Sequence, residues 1–160
     1  MHTGASKGVA SKGLTAAQVD AMIAMPKVVS TAPRLSPKSN APWADARWPV
    51  HHELSPVSLQ LLLHVQRGQL NVSKFSVSVL WNDVPVRRIC VGFAHGGLDP
   101  HGCHLHKLDD RLGMDNAVEL IDFPHEPDEG VLKACSLYGI DFKGTLAIPA
   151  TTRQPHLFPE

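Results

Sequence analysis

The stretch from Phe75 to Ala94 constrains the fold of this chain most. Phe75, Val77, Val79 and Trp81 alternate with Ser76, Ser78 and Leu80. A period of two puts the first set on one face of a strand and the second on the other. Asn82, Asp83, Val84 and Pro85 have the composition of a turn. The chain then returns from Val86 to Ala94, with Val86, Arg88, Cys90, Gly92 and Ala94 opposed to Arg87, Ile89, Val91 and Phe93. Two strands joined by so short a connection must be antiparallel neighbours.

The flanking segments extend this pair. Ser58 to Gln66 is an apolar run that reads as a buried strand, and Arg67, Gly68 and Gln69 form a turn after it. A short piece, Leu70 to Ser73, leads to Lys74. Val50 to Ser55 could add a short strand before this run, and Ala117 to Phe123 one after the return strand. Thr15 with Gln18 three residues on is a capping-box signature, and Val19, Met22 and Ile23 follow as one apolar stripe before Pro26 stops the helix. A second helix is expected over Glu129 to Leu137, opened by Pro127 or Asp128 and ended by Gly139. The expected fold class is α+β: a small antiparallel β-meander packed by an N-terminal and a C-terminal helix.

In domain terms, residues 1–13 read as a flexible leader and 14–142 as a single α+β domain. Residues 28–49 hold Pro33, Pro37, Pro42 and Pro49 with Trp43 and Trp48, which forbids a long regular element and suggests an extended wrap or linker. Residues 143–160 read as a C-terminal tail.

Charge narrows the function classes. The formal net charge is zero, which argues against a broad basic face for duplex DNA but leaves room for a small cationic site. Cys90, Cys103 and Cys135 are an odd number without a C-x-x-C pair, so a reducing, cytoplasmic setting is expected. No run of about 18 apolar residues is present, so no membrane span is expected. The oligomeric state is not legible.

The return strand leads into His95–Lys107, which holds His95, His101, His104 and His106, four of the ten histidines, together with Asp99, Gly96, Gly97 and Gly102. If Cys103 to Lys107 is a strand, His104 and His106 share one face and look outward, while Cys103 and Leu105 face the core. Two chemistries use such a group. His104 and His106 can act as a general acid–base pair, completed or oriented by His95 and Asp99, with Lys74, Arg87 or Lys107 holding a phosphate. Alternatively His101, His104 and His106 can ligate zinc or another divalent transition metal, although no established metal motif is present. A plain structural role, satisfying turn and surface hydrogen bonds, stands beside both. His64, in the apolar run, reads as a satisfied core histidine, and His51 and His52 as surface residues. Cys90 and Cys135 read as core.

The order of these segments resembles a family of small uncharacterised bacterial and phage proteins. Leu14–Lys27 is similar to its opening LTxxEADxLIAMPK helix, Arg67–Phe75 to its RGRINLSKYT segment, His95–His106 to its PHRNPDG…HxH segment and Leu132–Ile140 to its closing FxxYCNI helix. The usual Asn-Pro-Asp-Gly turn is altered here to Leu98, Asp99, Pro100, His101, Gly102. The resemblance implies a single α+β domain with His95, Asp99, His104 and His106 at characteristic positions. In layout the family is also similar to TumE-type toxins of toxin–antitoxin systems. Two functions are therefore expected in competition. One is a toxin-like intracellular prophage or bacterial protein cleaving RNA or another phosphodiester, with a cognate antitoxin as partner. The other is a non-catalytic partner-binding or anti-defence module with a structural histidine or metal cluster.

Overall fold

The capping box forms as the sequence predicts. The Thr15 hydroxyl accepts from the Gln18 N–H at 3.1 Å, and the Gln18 side chain accepts from the Thr15 N–H at 2.9 Å. Helix α1 follows (Ala16–Ala24), burying Val19, Met22 and Ile23. A carboxylate from far along the chain joins this cap, because Asp110 accepts from the Ala16 N–H at 2.7 Å. The computed structural model describes residues 13–37, 43–53, 56–66, 74–93, 102–114 and 118–149. Among these, no helix is long and apolar enough to cross a membrane.

Seven strands make one antiparallel sheet in chain order: β2 (Arg34–Pro37), β3 (Trp43–Val50), β4 (Leu59–Gln66), β5 (Phe75–Trp81), β6 (Val84–Val91), β7 (Cys103–Lys107) and β8 (Val118–Ile121). Two short strands, β1 (Lys27–Val29) and β9 (Ile140–Phe142), pair in parallel. Helix α2 (Pro127–Leu137) packs near the sheet. The fold is α+β, with one helix towards each end of the described chain.

The register sorts the sheet into two faces. Leu61, Leu63, Val65, Phe75, Val77, Val79, Ile89 and Val91 occupy one face and form the core with the helices. Helix α1 is fixed to it by Arg87, which donates to Asp20, and α2 by Gly130, which lies against the Phe75 ring. Tyr138 donates to the Val77 carbonyl at 2.6 Å. Unpaired in the interior, that hydroxyl would cost roughly 1–3 kcal/mol.

Several segments differ from the sequence reading; the strand expected to run on from Val50 is not formed, since β3 ends at Val50 and His52 and Glu53 lie outside any strand. The Pro-rich stretch 28–49, expected as an extended wrap or linker, supplies the end of β1, all of β2 and most of β3, with residues 30–33 connecting β1 to β2. His51 bonds to Val28 on the outer edge of β3, so alternation points the nitrogen of Pro49 to that same edge. Strand β2 has already ended there, since Arg34 pairs with Arg47, so the missing N–H breaks no ladder bond. Val84 and Pro85 belong to β6 instead of the turn, because Asn82 and Asp83 (φ 47° and 70°) make a two-residue hairpin connection by themselves. Residues 143–149 are no loose tail. Lys143 N–H bonds to Val29, the Trp48 indole donates to the Thr145 carbonyl at 2.9 Å, and Leu146 and Ile148 pack on the core.

Candidate functional site

The face away from the helices carries the polar side chains. Reading across β3 to β8 in register, one row is Asp45, His64, Ser76, Cys90, His104 and Leu120. The next row is Arg47, Leu62, Ser78, Arg88, His106 and Val118. Asp45, Ser76, Ser78, Cys90, His104 and His106 are all buried. Burial of so many polar groups on one face demands hydrogen-bonding partners for them.

His104 and His106 share a face, as period two requires. They do not look out to solvent, however: they are 0% and 1% exposed. The turn after β7 lies over His106, whose Nδ1 sits 3.3 Å from the Met114 carbonyl. A carbonyl only accepts, so Nδ1 carries the proton in that contact. The same turn is set by Asp109, whose carboxylate accepts from the Arg111 and Leu112 N–H groups at 2.8 Å each. Those bonds, Leu112 first, hold its carboxyl below the usual carboxylate range.

The sequence reading missed the most organised group on this face. His64 Nδ1 lies 2.6 Å from Asp45 Oδ1. The ladder explains the closeness. Gln66 N–H bonds to Lys74 and Asn82 N–H to Ser58, so by alternation the backbone of His64 bonds towards β5. Asp45 and His64 are then a non-hydrogen-bonded pair, the narrow kind that brings side chains together. The imidazole stacks on Trp43 with ring centres 4.5 Å apart and planes 7° apart, and Trp43 stacks in turn on Phe93 at 5.7 Å. The His64 side chain is 33% exposed. A carboxylate on Nδ1 fixes the tautomer and leaves Nε2 as the proton acceptor. No periodicity signals this pair, because Asp45 and His64 are 19 residues apart and meet only through strand register.

The other expected site residues are distributed unevenly. Lys74 is exposed just before β5, and alternation carries it to the polar face, diagonal to His64. Arg87 lies on the opposite face, buried and donating to Asp20 at 2.5 Å, so it does not stand beside the histidines. Lys107 also belongs to the helix face by register and approaches Glu119 at 3.9 Å. On the polar face the arginine next to His106 is Arg88, its register partner. His95, Asp99 and His101 fall outside the described residues. Among the described residues no group of three or more His, Cys, Asp or Glu side chains is placed to hold a metal, so His104 and His106 have no third ligand there.

Cys103 faces the helix side as expected, with its sulfur 3.6 Å from the Phe123 carbonyl and 3.8 Å from His125 Nε2. Burial, assisted by the nearby Asp122 carboxylate, raises its pKa, which disfavours the nucleophilic thiolate.

No family model matches this chain, and neither a curated protein nor a solved structure matches it significantly.

Proposed function

We propose that the chain is a toxin-like intracellular protein whose polar sheet face is a histidine-centred site acting on phosphodiesters, RNA in the first instance. One observation carries this reading: His64, His104 and His106 all project from one face of one sheet, with Asp45 hydrogen-bonded to the first of them. An imidazole oriented by a carboxylate is a general acid–base device, and the exposed Lys74 supplies a cation on the same side. The test has two parts. Expression of the wild-type chain should arrest growth, and the purified chain should cleave a labelled RNA with no loss of rate in chelator. A chain that neither arrests growth nor cuts RNA sinks the reading.

A second reading has its own support. The near-complete burial of His104 and His106 suits a structural role inside a partner-binding module. In that case His104→Gln with His106→Gln lowers stability, while the wild-type chain shows no hydrolytic activity and captures a cognate protein partner such as an antitoxin. Elemental analysis of the purified chain separates a metal-clip version of this reading from a metal-free one.

A further inference from the structure

We infer that His64, rather than His104 or His106, is the general base of this site, and that the group it deprotonates is the 2′-hydroxyl of single-stranded RNA. The inference rests on the phosphodiester reading above and names the residue and the substrate class within it. Three observations converge on His64. It is the one of the three that solvent reaches, with a side chain 33% exposed against residues 0% and 1% exposed. Its Nδ1 is held by Asp45 at 2.6 Å, which leaves Nε2 to take a proton. Its ring is braced against Trp43 at an interplanar angle of 7°, so the imidazole plane is fixed before any substrate arrives.

The surroundings select the substrate. Lys74 lies diagonally across the strand pair, at the roughly 7–8 Å backbone spacing that a long side chain spans, and a phosphate can sit between its ammonium and the imidazole. Trp43 and Phe93 put aromatic surface at the same end of the sheet, which suits an unpaired base more than a duplex. A base at Nε2 can deprotonate a hydroxyl held beside the phosphate, and in RNA the ribose 2′-hydroxyl is the one already in place there.

The step balances without an added co-reactant other than water. The 2′-O–H proton passes to His64 Nε2 and the 2′-oxygen forms a bond to phosphorus. The P–O5′ bond breaks, the departing 5′-oxygen takes a proton from water, and the hydroxide so formed removes the proton from His64, which restores the base. The products are a 2′,3′-cyclic phosphate and a 5′-hydroxyl.

The experiment uses the full chain, a labelled single-stranded RNA and the same strand with every 2′-hydroxyl replaced by hydrogen. His64→Gln and Asp45→Asn are compared with wild type, with folding checked by the urea midpoint of each. Wild type should cut the RNA to cyclic-phosphate ends and leave the deoxy strand whole. His64→Gln should lose about 10²–10⁴-fold in rate and lose the limb of the pH profile in which rate rises with pH. Asp45→Asn should displace that limb, which a merely structural role would not do. Cleavage by wild type with His64→Gln slowed by less than about threefold overturns the assignment of His64 while the phosphodiester reading stands. Cutting of the deoxy strand overturns the 2′-hydroxyl. Absence of any cleavage by wild type removes the phosphodiester reading and this inference together.

Discussion

Gly139 leaves the space in which Lys27 closes the end of α1. The Lys27 ammonium is buried and donates to the carbonyls of Met22, Ile23 and Met25 at 2.8, 2.7 and 2.7 Å. A Cβ on Gly139 would lie 2.4 Å from the Ile23 carbonyl oxygen and 3.1 Å from Lys27 Nζ. Gly139 also has φ +72°, where an L side chain is strained. Gly139→Ala should therefore destabilise by about 2–5 kcal/mol, the sum of a left-handed penalty and overpacking. Urea unfolding measures it, and a loss under about 0.5 kcal/mol, the range of a neutral surface change, would show that the cap is not rigid.

The same lysine sets a pH dependence. Burial first, and then the Arg87 guanidinium, lower Lys27 from 10.5 to about 8. Between these values the unfolded chain binds the proton that the folded chain has lost, so stability rises with pH across that window. Tyr138 acts oppositely at higher pH. Its burial holds the folded phenol well above 10, so the unfolded chain ionises first and stability falls as pH climbs past 10. Cys135, which burial raises from 9.0 to about 12, and Cys103, also raised, oppose the lysine in the same way from pH 9 upward, so urea midpoints should climb from pH 8 towards 9 and then turn down. Lys27→Met should flatten the climb, while lowering stability at pH 7 by about 1–3 kcal/mol through its three stranded carbonyls.

Helix α2 approaches the sheet through Gly130, where a Cβ would meet the Phe75 ring at 2.6 and 2.7 Å and Phe123 at 3.2 Å. Alanine has the better helix propensity by about 1 kcal/mol. Overpacking against a filled core costs about 1–3 kcal/mol, so the clash should win. Gly130→Ala is expected to lower the thermal midpoint, and an unchanged or higher midpoint would mean that α2 shifts freely on the sheet.

Thiol chemistry should report burial. Cys90, Cys103 and Cys135 are buried thiols, and burial pushes Cys135 up to about 12. Alkylation at pH 8 should be slow for all three in the folded chain and fast in denaturant. Rapid labelling of Cys103 in the native state would show that the region around Phe123 opens.

Arg87 and Arg88 are adjacent in sequence and opposite in consequence. Arg87→Gln should reduce stability by about 1–3 kcal/mol through its part-buried bond to Asp20 and, on the phosphodiester reading, leave RNA affinity unchanged. On the same reading, Arg88→Gln, on the face of the histidines, should weaken RNA binding. Binding titrations of both variants check this, and the reverse pattern would place the substrate on the helix side.

Sequence alone determined what depends on neighbours a few residues away. A continuous apolar run specified β4 and period-two runs β5 and β6, the Thr15–Gln18 box specified where α1 begins, and Gly139 where α2 ends, because apolar patterning and backbone capping are local physics. It also put His104 and His106 on a common face. Tertiary structure decided which face that was, and that it was buried, since exposure depends on what the turn ending at Met114 covers. It decided that the proline-rich stretch could join a sheet, because Pro49 is tolerated only at an edge position that the sequence does not mark. The Asp45–His64 pair belongs wholly to the fold: strand register brings two residues 19 apart within 2.6 Å, and register is fixed by the entire sheet and not by either residue.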